Sequence, residues 1–265
     1  MYNFRYQRAS SLDGALKAAA AAEDPKFLAG GMTLLPTMKQ RLAQPSDLID
    51  IGGIADLAGI RRDGQVLVVG AMTRHADVAS SEEVKSAIPA LAALAGHIGD
   101  PQVRNRGTLG GSIANADPAA DYPAAVVGLN ATVKTNKREI AADDFFTGLF
   151  ETVLQEYEIV TEVSFPIPEK AAYAKFPNPA SRYAVVGVMV CKSKDGVRVA
   201  VTGAGPSVFR VEDMEKALSK KFAPEAVEGI KVSQEGLNAD IHASAEYRAH
   251  LVTVMAKRAV AAANG

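Results

Sequence analysis

The sequence predicts a soluble protein of mixed helices and strands in two modest domains, and three observations point that way. The chain has 265 residues, which at roughly 150 residues per domain suits two units better than one. Its residues are 48% apolar and 22% charged, the balance of a chain that buries a core. Helix-period and strand-period stretches alternate along it, separated by Gly- and Pro-rich breaks.

Ser10-Ser11-Leu12-Asp13 reads as a capping box for a helix from about Leu12 to Ala22, since its hydroxyl and carboxylate can satisfy free first-turn amides. Phe27-Leu28-Ala29 reads as a short buried strand running into Gly30-Gly31. A helical pattern follows from about Leu34 to Leu42, then a strand at Leu48-Ile49-Asp50-Ile51. The first 52 residues thus form a β-α-β-like unit with a glycine turn after a strand. Ile60 to Gly70 is a hairpin across Asp63-Gly64. Helices are expected from Thr73 to about Val78 and from Pro89 to about Gly96, with a Gly-rich loop at Gly107 to Gly111. Ala131 to Lys134 and Arg138 to Ile140 pair as a hairpin, and Glu158 to Phe165 is a strand. Pro166-Ile167-Pro168 and Pro177-Asn178-Pro179 suggest a stiff connector, which puts the domain boundary near residue 169. The expected domains are therefore 1–169, with subdomains of about 1–52 and 53–169, and 170–265. Beyond the boundary come strands at Tyr183 to Lys192 and Val197 to Thr202, then helical patterns at about 211–221, 223–230 and 244–262. The last shows Tyr247, Leu251, Val254 and Met255 on one face.

Composition excludes several functions. With 29 Lys and Arg against 30 Asp and Glu, no overall field draws in a nucleic acid. The best apolar run, Ala184 to Cys191, is far short of the roughly 20 residues a membrane span needs. Met1 to Arg5 has no apolar signal segment, and the single Cys191 fits a reducing cytoplasm. One thiol cannot hold an iron–sulfur cluster, which takes about four. His75, His97, His242 and His250 show no metal-ligand spacing.

Two stretches stand out: Ala29-Gly30-Gly31-Met32-Thr33-Leu34-Leu35-Pro36 and Arg106-Gly107-Thr108-Leu109-Gly110-Gly111-Ser112-Ile113-Ala114-Asn115. Paired glycines let successive backbone N–H groups face one side and let an anion approach the main chain, while Thr33, Thr108 and Ser112 add hydroxyls. A diphosphate offers acceptors for roughly four to six donors, so two converging stretches hold a nucleotide better than one. Tight turns are the plain alternative for either stretch alone. Gly203-Ala204-Gly205-Pro206-Ser207-Val208 lacks the third glycine of a dinucleotide fingerprint, and no phosphate-binding GxxxxGK[ST] motif is present.

At these residues the chain resembles the FAD-binding subunits of molybdenum hydroxylases, the family of the aerobic carbon monoxide dehydrogenase medium subunit and the xanthine dehydrogenase flavin domain. The resemblance covers nearly the whole chain. Its carriers are Ala29 to Pro36 with Met38-Lys39 and Arg41, Leu48 to Ile51, Val69-Gly70-Ala71-Met72-Thr73, and above all Gln102 to Ser112 with Ala116-Asp117-Pro118-Ala119-Ala120-Asp121.

The resemblance implies an α+β fold: a two-subdomain FAD-binding domain of the vanillyl-alcohol oxidase type, followed by a small domain of sheet and helices. It implies FAD contacts from Ala29, Gly30, Gly31, Met32, Thr33, Leu34 and Leu35, and from Thr108, Gly110, Gly111 and Ser112. Asn115 and Asp121 match polar FAD-contacting positions, and Val160 an apolar one. Ile98 falls where a relative branch has an aromatic residue on the flavin, Lys175 matches a lysine near the flavin, and Tyr183 a tyrosine covering one flavin face. The residues themselves also admit Lys175 as a surface lysine, Tyr183 as a half-buried strand tyrosine and Asp121 as a helix cap before Pro123. No catalytic acid–base dyad is expected, because the cofactor carries the redox chemistry. The implied function is electron transfer from two 2Fe–2S clusters on a small partner subunit to an external acceptor (quinone, NAD or oxygen). Substrate is hydroxylated at a molybdenum cofactor on a large subunit, in a three-component complex for which a dimer of heterotrimers is one arrangement. The alternatives are a stand-alone FAD oxidoreductase and a non-catalytic assembly subunit that has lost FAD.

Overall fold

In the computed structural model, which describes residues 1–265, the chain begins with β1 (Arg5–Arg8), α1 (Leu12–Ala20), β2 (Pro25–Leu28), α2 (Leu34–Lys39) and β3 (Asp47–Asp50). The three strands form a parallel sheet in the order β1-β3-β2. Ser11 Oγ accepts the Gly14 N–H at 3.1 Å, which starts α1 where the sequence expects it. The helix stops at Ala20, short of Ala22. β2 is half-buried rather than buried, because it is an edge strand whose Lys26 and Phe27 border an open cavity. α2 ends at Lys39 rather than near Leu42, since Arg41 takes a left-handed φ of 63° that breaks the helix. β1, which sequence reasoning missed, is polar and exposed along its length. Arg5 and Gln7 fasten it to the buried Asp47 carboxylate at 3.1 and 3.0 Å.

The middle of the chain holds β4 (Ile60–Asp63), β5 (Val66–Gly70), α3 (His75–Ser80), α4 (Glu82–Ala87), α5 (Pro89–Gly96), α6 (Pro101–Arg104), α7 (Leu109–Asn115) and α8 (Tyr122–Gly128). It continues with β6 (Thr132–Thr135), β7 (Glu139–Ala141), α9 (Ala142–Phe145), β8 (Phe146–Gly148), β9 (Glu151–Thr152) and β10 (Val160–Pro166). Five of these strands form an antiparallel sheet in the order β4-β5-β10-β6-β7, with both expected hairpins in it. Thr73 does not open a helix. Its hydroxyl bonds the Gly59 carbonyl at 3.0 Å, and α3 starts two residues later. The stretch Gly107–Gly111 is only partly a loop: Leu109 begins α7, capped by Thr108 Oγ1, which accepts the Gly111 N–H at 3.2 Å.

The remainder is β11 (Lys170–Pro177), β12 (Ala184–Ser193), β13 (Gly196–Thr202), β14 (Phe209–Arg210), α10 (Glu212–Lys220) and α11 (Ala245–Asn264). The strands form a second antiparallel sheet in chain order. Pro177-Asn178-Pro179 is no part of a connector, because Lys170–Pro177 is a strand and Asn178 sits at the β11–β12 turn, its Oδ1 accepting the Ala180 and Ser181 N–H groups. Only residues 167–169 join the two sheets. The pattern at 223–230 is a short 3-10 turn, Pro224–Val227. The buried face of α11 carries Arg248, Val252, Met255 and Ala259, while Tyr247 and Val254 are not buried.

Alternation along β11 and β12 explains how the parts meet. Val186, Val188 and Val190 join α10 and α11 in one core, while Tyr173, Met189 and Cys191 face the other way into the core of the middle unit. α8 lies between, all seven of its residues buried. A Cβ on Gly128 would stand 2.6 Å from Met189 Cγ, so glycine lets that helix settle onto the sheet.

Candidate functional site

The two glycine stretches touch. A Cβ at Gly30 would lie 2.1 Å from the Arg106 carbonyl oxygen and 2.8 Å from Gly107 Cα, and one at Gly111 would lie 3.3 Å from Ala29 Cβ. Packed this way, they form one wall of a cavity of about 520 Å³, within the roughly 300–1,000 Å³ range of small-molecule sites. The β11–β12 turn supplies Ala180, Ser181, Arg182 and Tyr183 to the same cavity.

The stretches contribute differently. None of the backbone N–H groups of Ala29, Gly30, Gly31, Met32, Thr33 or Leu34 donates to any group of the protein, and all six residues line the cavity. Gly31 takes φ +74°, so the chain reverses there and successive amides can face one side. The second stretch has spent most of its amides: Leu109 donates to the Thr73 carbonyl, Gly110 to that of Ala71, Gly111 to Thr108 Oγ1 and Ser112 to the Thr108 carbonyl, while the Thr108 N–H has no acceptor within the protein. The expectation that both stretches offer main-chain amides is therefore narrowed: in the second, Thr108 keeps a free N–H, and Leu109 to Ser112 do not. The cap of α7 and bonds to the Ala71 and Thr73 carbonyls consume the Leu109 to Ser112 amides, and the glycines there serve close packing. Gly110 shows this, since its Cβ would stand 2.5 Å from Ala71 Cβ. Likewise Thr108 Oγ1 acts as an acceptor, which leaves Ser112 as the hydroxyl of that stretch with no protein partner.

Of the residues expected at the site, Ala29, Gly30, Gly31, Met32, Thr33, Leu34, Ile98, Thr108, Gly110, Gly111, Ser112, Asn115, Asp121, Val160 and Tyr183 line this cavity. Leu35 and Lys175 do not. Leu35 turns its side chain back over Gly31, with Cδ1 2.9 Å from where a Cβ there would sit. Lys175 is no surface lysine: its side chain is 4% exposed, and Nζ donates to Asp121 Oδ2 at 2.8 Å and to the His97 carbonyl at 3.1 Å. Asp121 stands at the N-cap position of α8, but its side chain makes no capping bond; its Oδ1 accepts from the Tyr173 hydroxyl instead. Burial raises the Asp121 carboxyl above the usual range, against the opposing pull of Lys175 and Tyr173. Tyr183 is exposed rather than half-buried and precedes β12.

The sequence reading missed Met72, His75, Asp117 and Glu158, together with Ala180, Ser181 and Arg182. Asp117 and Met72 lie inside motifs already singled out, and that was the available signal. His75 is buried against Gly107 and the Tyr122 ring, with Nδ1 lacking a partner. Burial, aided by the Arg104 charge, lowers it to about 4, so the ring is neutral at pH 7. Glu158 is tied to Arg138 at 2.9 Å and held down to about 2 by that guanidinium, with Gln155 N–H and Thr135 helping. Lining charges are Asp100, Asp117, Asp121 and Glu158 against Lys26 and Arg182. Side-chain charge alone therefore does not favour an anion, and the free amides are what suit one.

A cavity built from a free-amide turn, a capped glycine helix and a second sheet suits a phosphate-bearing ligand, and comparison with known proteins narrows the class. The family model of the FAD-binding domain in molybdopterin dehydrogenases matches residues 2–168, and that of the carbon monoxide dehydrogenase flavoprotein C-terminal domain matches residues 171–263. The chain belongs to this family of molybdopterin dehydrogenase flavoproteins. It is 38% identical to the nicotine 6-hydroxylase medium subunit of Paenarthrobacter nicotinovorans, covering 97% of this chain and 95% of that one. It is also 38% identical to the carbon monoxide dehydrogenase medium chain of Hydrogenophaga pseudoflava, over 91% of this chain and 89% of the relative. A solved structure of the carbon monoxide dehydrogenase from Hydrogenophaga pseudoflava superposes with a TM-score of 0.90 at 37% identity, covering 99% of this chain and 97% of that one.

Proposed function

We propose that this chain is the FAD-carrying electron-transfer subunit of a molybdenum-containing hydroxylase or dehydrogenase complex, dividing near residue 169 into an FAD-binding domain and a smaller flavoprotein domain. The observation that carries the reading is the run of six unpaired amides, Ala29 to Leu34, along a cavity wall built by both glycine stretches. The residues fit the cofactor: the amides and the Ser112 hydroxyl suit a diphosphate, while Ile98, Val160 and Tyr183 suit a flat ring system.

Bound FAD supplies one-electron uptake and two-electron delivery, the exchange needed between iron–sulfur clusters and a two-electron acceptor. The chain's own residues bind and orient. Ala29 to Leu34 hold the diphosphate, Asp121 and Asn115 offer polar anchors, and Ile98 gives dispersion contact without ring stacking. Tyr183, on the β11–β12 turn, lines the cavity and would cover the ring and limit water. The partners of the reading are a large molybdenum-cofactor subunit and a small subunit with two 2Fe–2S clusters. The acceptor is a quinone, NAD or oxygen. A reducing cytoplasm suits the unpaired, buried Cys191. A stand-alone oxidoreductase would need substrate chemistry of its own, and the four carboxylates at the cavity are engaged structurally: Asp121 with Lys175, Glu158 with Arg138, Asp100 with the Val103 N–H and Asp117 with the Ala119 N–H.

The test is the purified chain alone and with its co-purifying subunits. The account expects uptake of one FAD per chain, and reduction of that flavin only when the partners and their substrate are present. Reduction by substrate without partners would favour the stand-alone alternative. A folded chain that takes up no FAD would favour the assembly subunit.

A further inference from the structure

The C-terminal sheet reaches into the cavity wall through one buried chain of hydrogen bonds. Tyr173 and Lys175 lie two residues apart on β11, in register with Met189 and Gly187 of β12. The Tyr173 hydroxyl donates to Asp121 Oδ1, Lys175 Nζ to Asp121 Oδ2 at 2.8 Å, and Lys175 also to the His97 carbonyl. Asp121 in turn lines the cavity. The hydroxyl occupies space that only glycine leaves, because a Cβ at Gly187 would stand 2.1 Å from Tyr173 Oη. Packing does not require that hydroxyl. The Tyr173 ring already sits in the core with Met189 and Cys191, where phenylalanine would fill nearly the same volume. A buried hydroxyl costs free energy unless bonded, and this one is aimed at a carboxylate of the candidate cofactor site.

We propose that Tyr173 is a positioning residue for FAD: lodged over Gly187, its hydroxyl fixes the Asp121 carboxylate from the C-terminal half, so that Asp121 presents a preset acceptor to a hydroxyl or N–H donor of the cofactor. An ionised carboxylate has about four acceptor sites. Tyr173 and Lys175 fill two of them, which leaves lone pairs for the cofactor. The inference rests on the FAD reading above and adds that the second domain sets the geometry of the first domain's site.

The experiment is a double-mutant cycle on the full chain, stripped of flavin and titrated with FAD while flavin fluorescence is followed. Tyr173→Phe keeps the ring and is expected to weaken FAD binding about tenfold, the loss of one hydrogen bond to a charged group. Asp121→Asn should weaken it at least as much. In the Asp121→Asn background, adding Tyr173→Phe should change the affinity by less than about twofold, because Tyr173 acts through Asp121. Gly187→Ala keeps every donor and pushes hardest on the hydroxyl, at 2.1 Å against 2.8 Å to Tyr173 Cζ and 3.0 Å to Thr202 Cγ2, so it should weaken binding in the same direction and serves if Tyr173→Phe does not fold. Wild-type affinity in Tyr173→Phe, or full additivity in the double variant, overturns the proposal, since a merely structural role would give one or the other. Failure of the wild-type chain to bind FAD would instead overturn the function proposed above.

Discussion

Gly30→Ala is the sharpest single perturbation of the junction between the two glycine stretches. The new methyl carbon would stand 2.1 Å from the Arg106 carbonyl oxygen and 2.8 Å from both Arg106 C and Gly107 Cα, all backbone atoms that cannot rotate away. Ordinary carbon contacts lie at about 3.5–4.0 Å, so the stretches must part by more than an ångström. Overpacking of this kind costs about 1–3 kcal/mol. It falls on the wall that carries the free amides, and not on either large core. We expect FAD affinity to drop about tenfold to a hundredfold, at about 1.4 kcal/mol per factor of ten, while the chain stays folded. The assay is fluorescence titration of flavin-free chain with FAD, beside a thermal melt. Gly229→Ala is the control, since a Cβ there meets nothing within 4 Å. Wild-type affinity in Gly30→Ala would refute the reasoning, as would equal losses in both variants.

Gly111→Val loads the same junction from the other side, against Thr108 Oγ1 at 2.9 Å and Ala29 Cβ at 3.3 Å, and should leave a folded chain with little yellow colour, read from the flavin absorbance per chain. Glu158→Gln should destabilise the chain by about 1–3 kcal/mol at pH 7, because Arg138 and Thr135 lose a charged partner. The Glu158 carboxyl is lowered from 4.5 to about 2 in the folded chain, so its contribution is complete above pH 4.5 and lost as pH falls toward 2. Melts of wild type and variant should therefore converge on acidification, and a gap independent of pH would contradict this. Burial pushes the Cys191 thiol up to about 12, so at pH 8 a thiol reagent should label it only after unfolding; rapid labelling of the native chain would show the site misplaced.

Much of this was legible in the sequence where local chemistry decides structure. Ser11 caps α1 and Pro89 starts α5 as expected. The convergence of the glycine stretches was legible too, because paired glycines beside apolar runs imply close approach. What escaped depends on tertiary partners. Thr108 Oγ1 takes on a capping role only because α7 begins at Leu109. Lys175 looks like a surface residue until β11 carries it against Asp121. β11 itself was hidden between two Pro-x-Pro units that read as breakers, although Pro166 and Pro177 end strands and Pro179 sits at a turn. His75 and Arg182 reach the cavity from segments with no motif of their own.

Hydrogen–deuterium exchange resolved to single amides, with and without FAD, tests the central claim most directly. Ala29 to Leu34 have no acceptor within the protein, so their amides should exchange fast in the flavin-free chain and become protected when FAD is added. Gly110 and Gly111, already bonded, should change little. Unchanged exchange across residues 29–34 at saturating FAD would show that this turn does not hold the diphosphate.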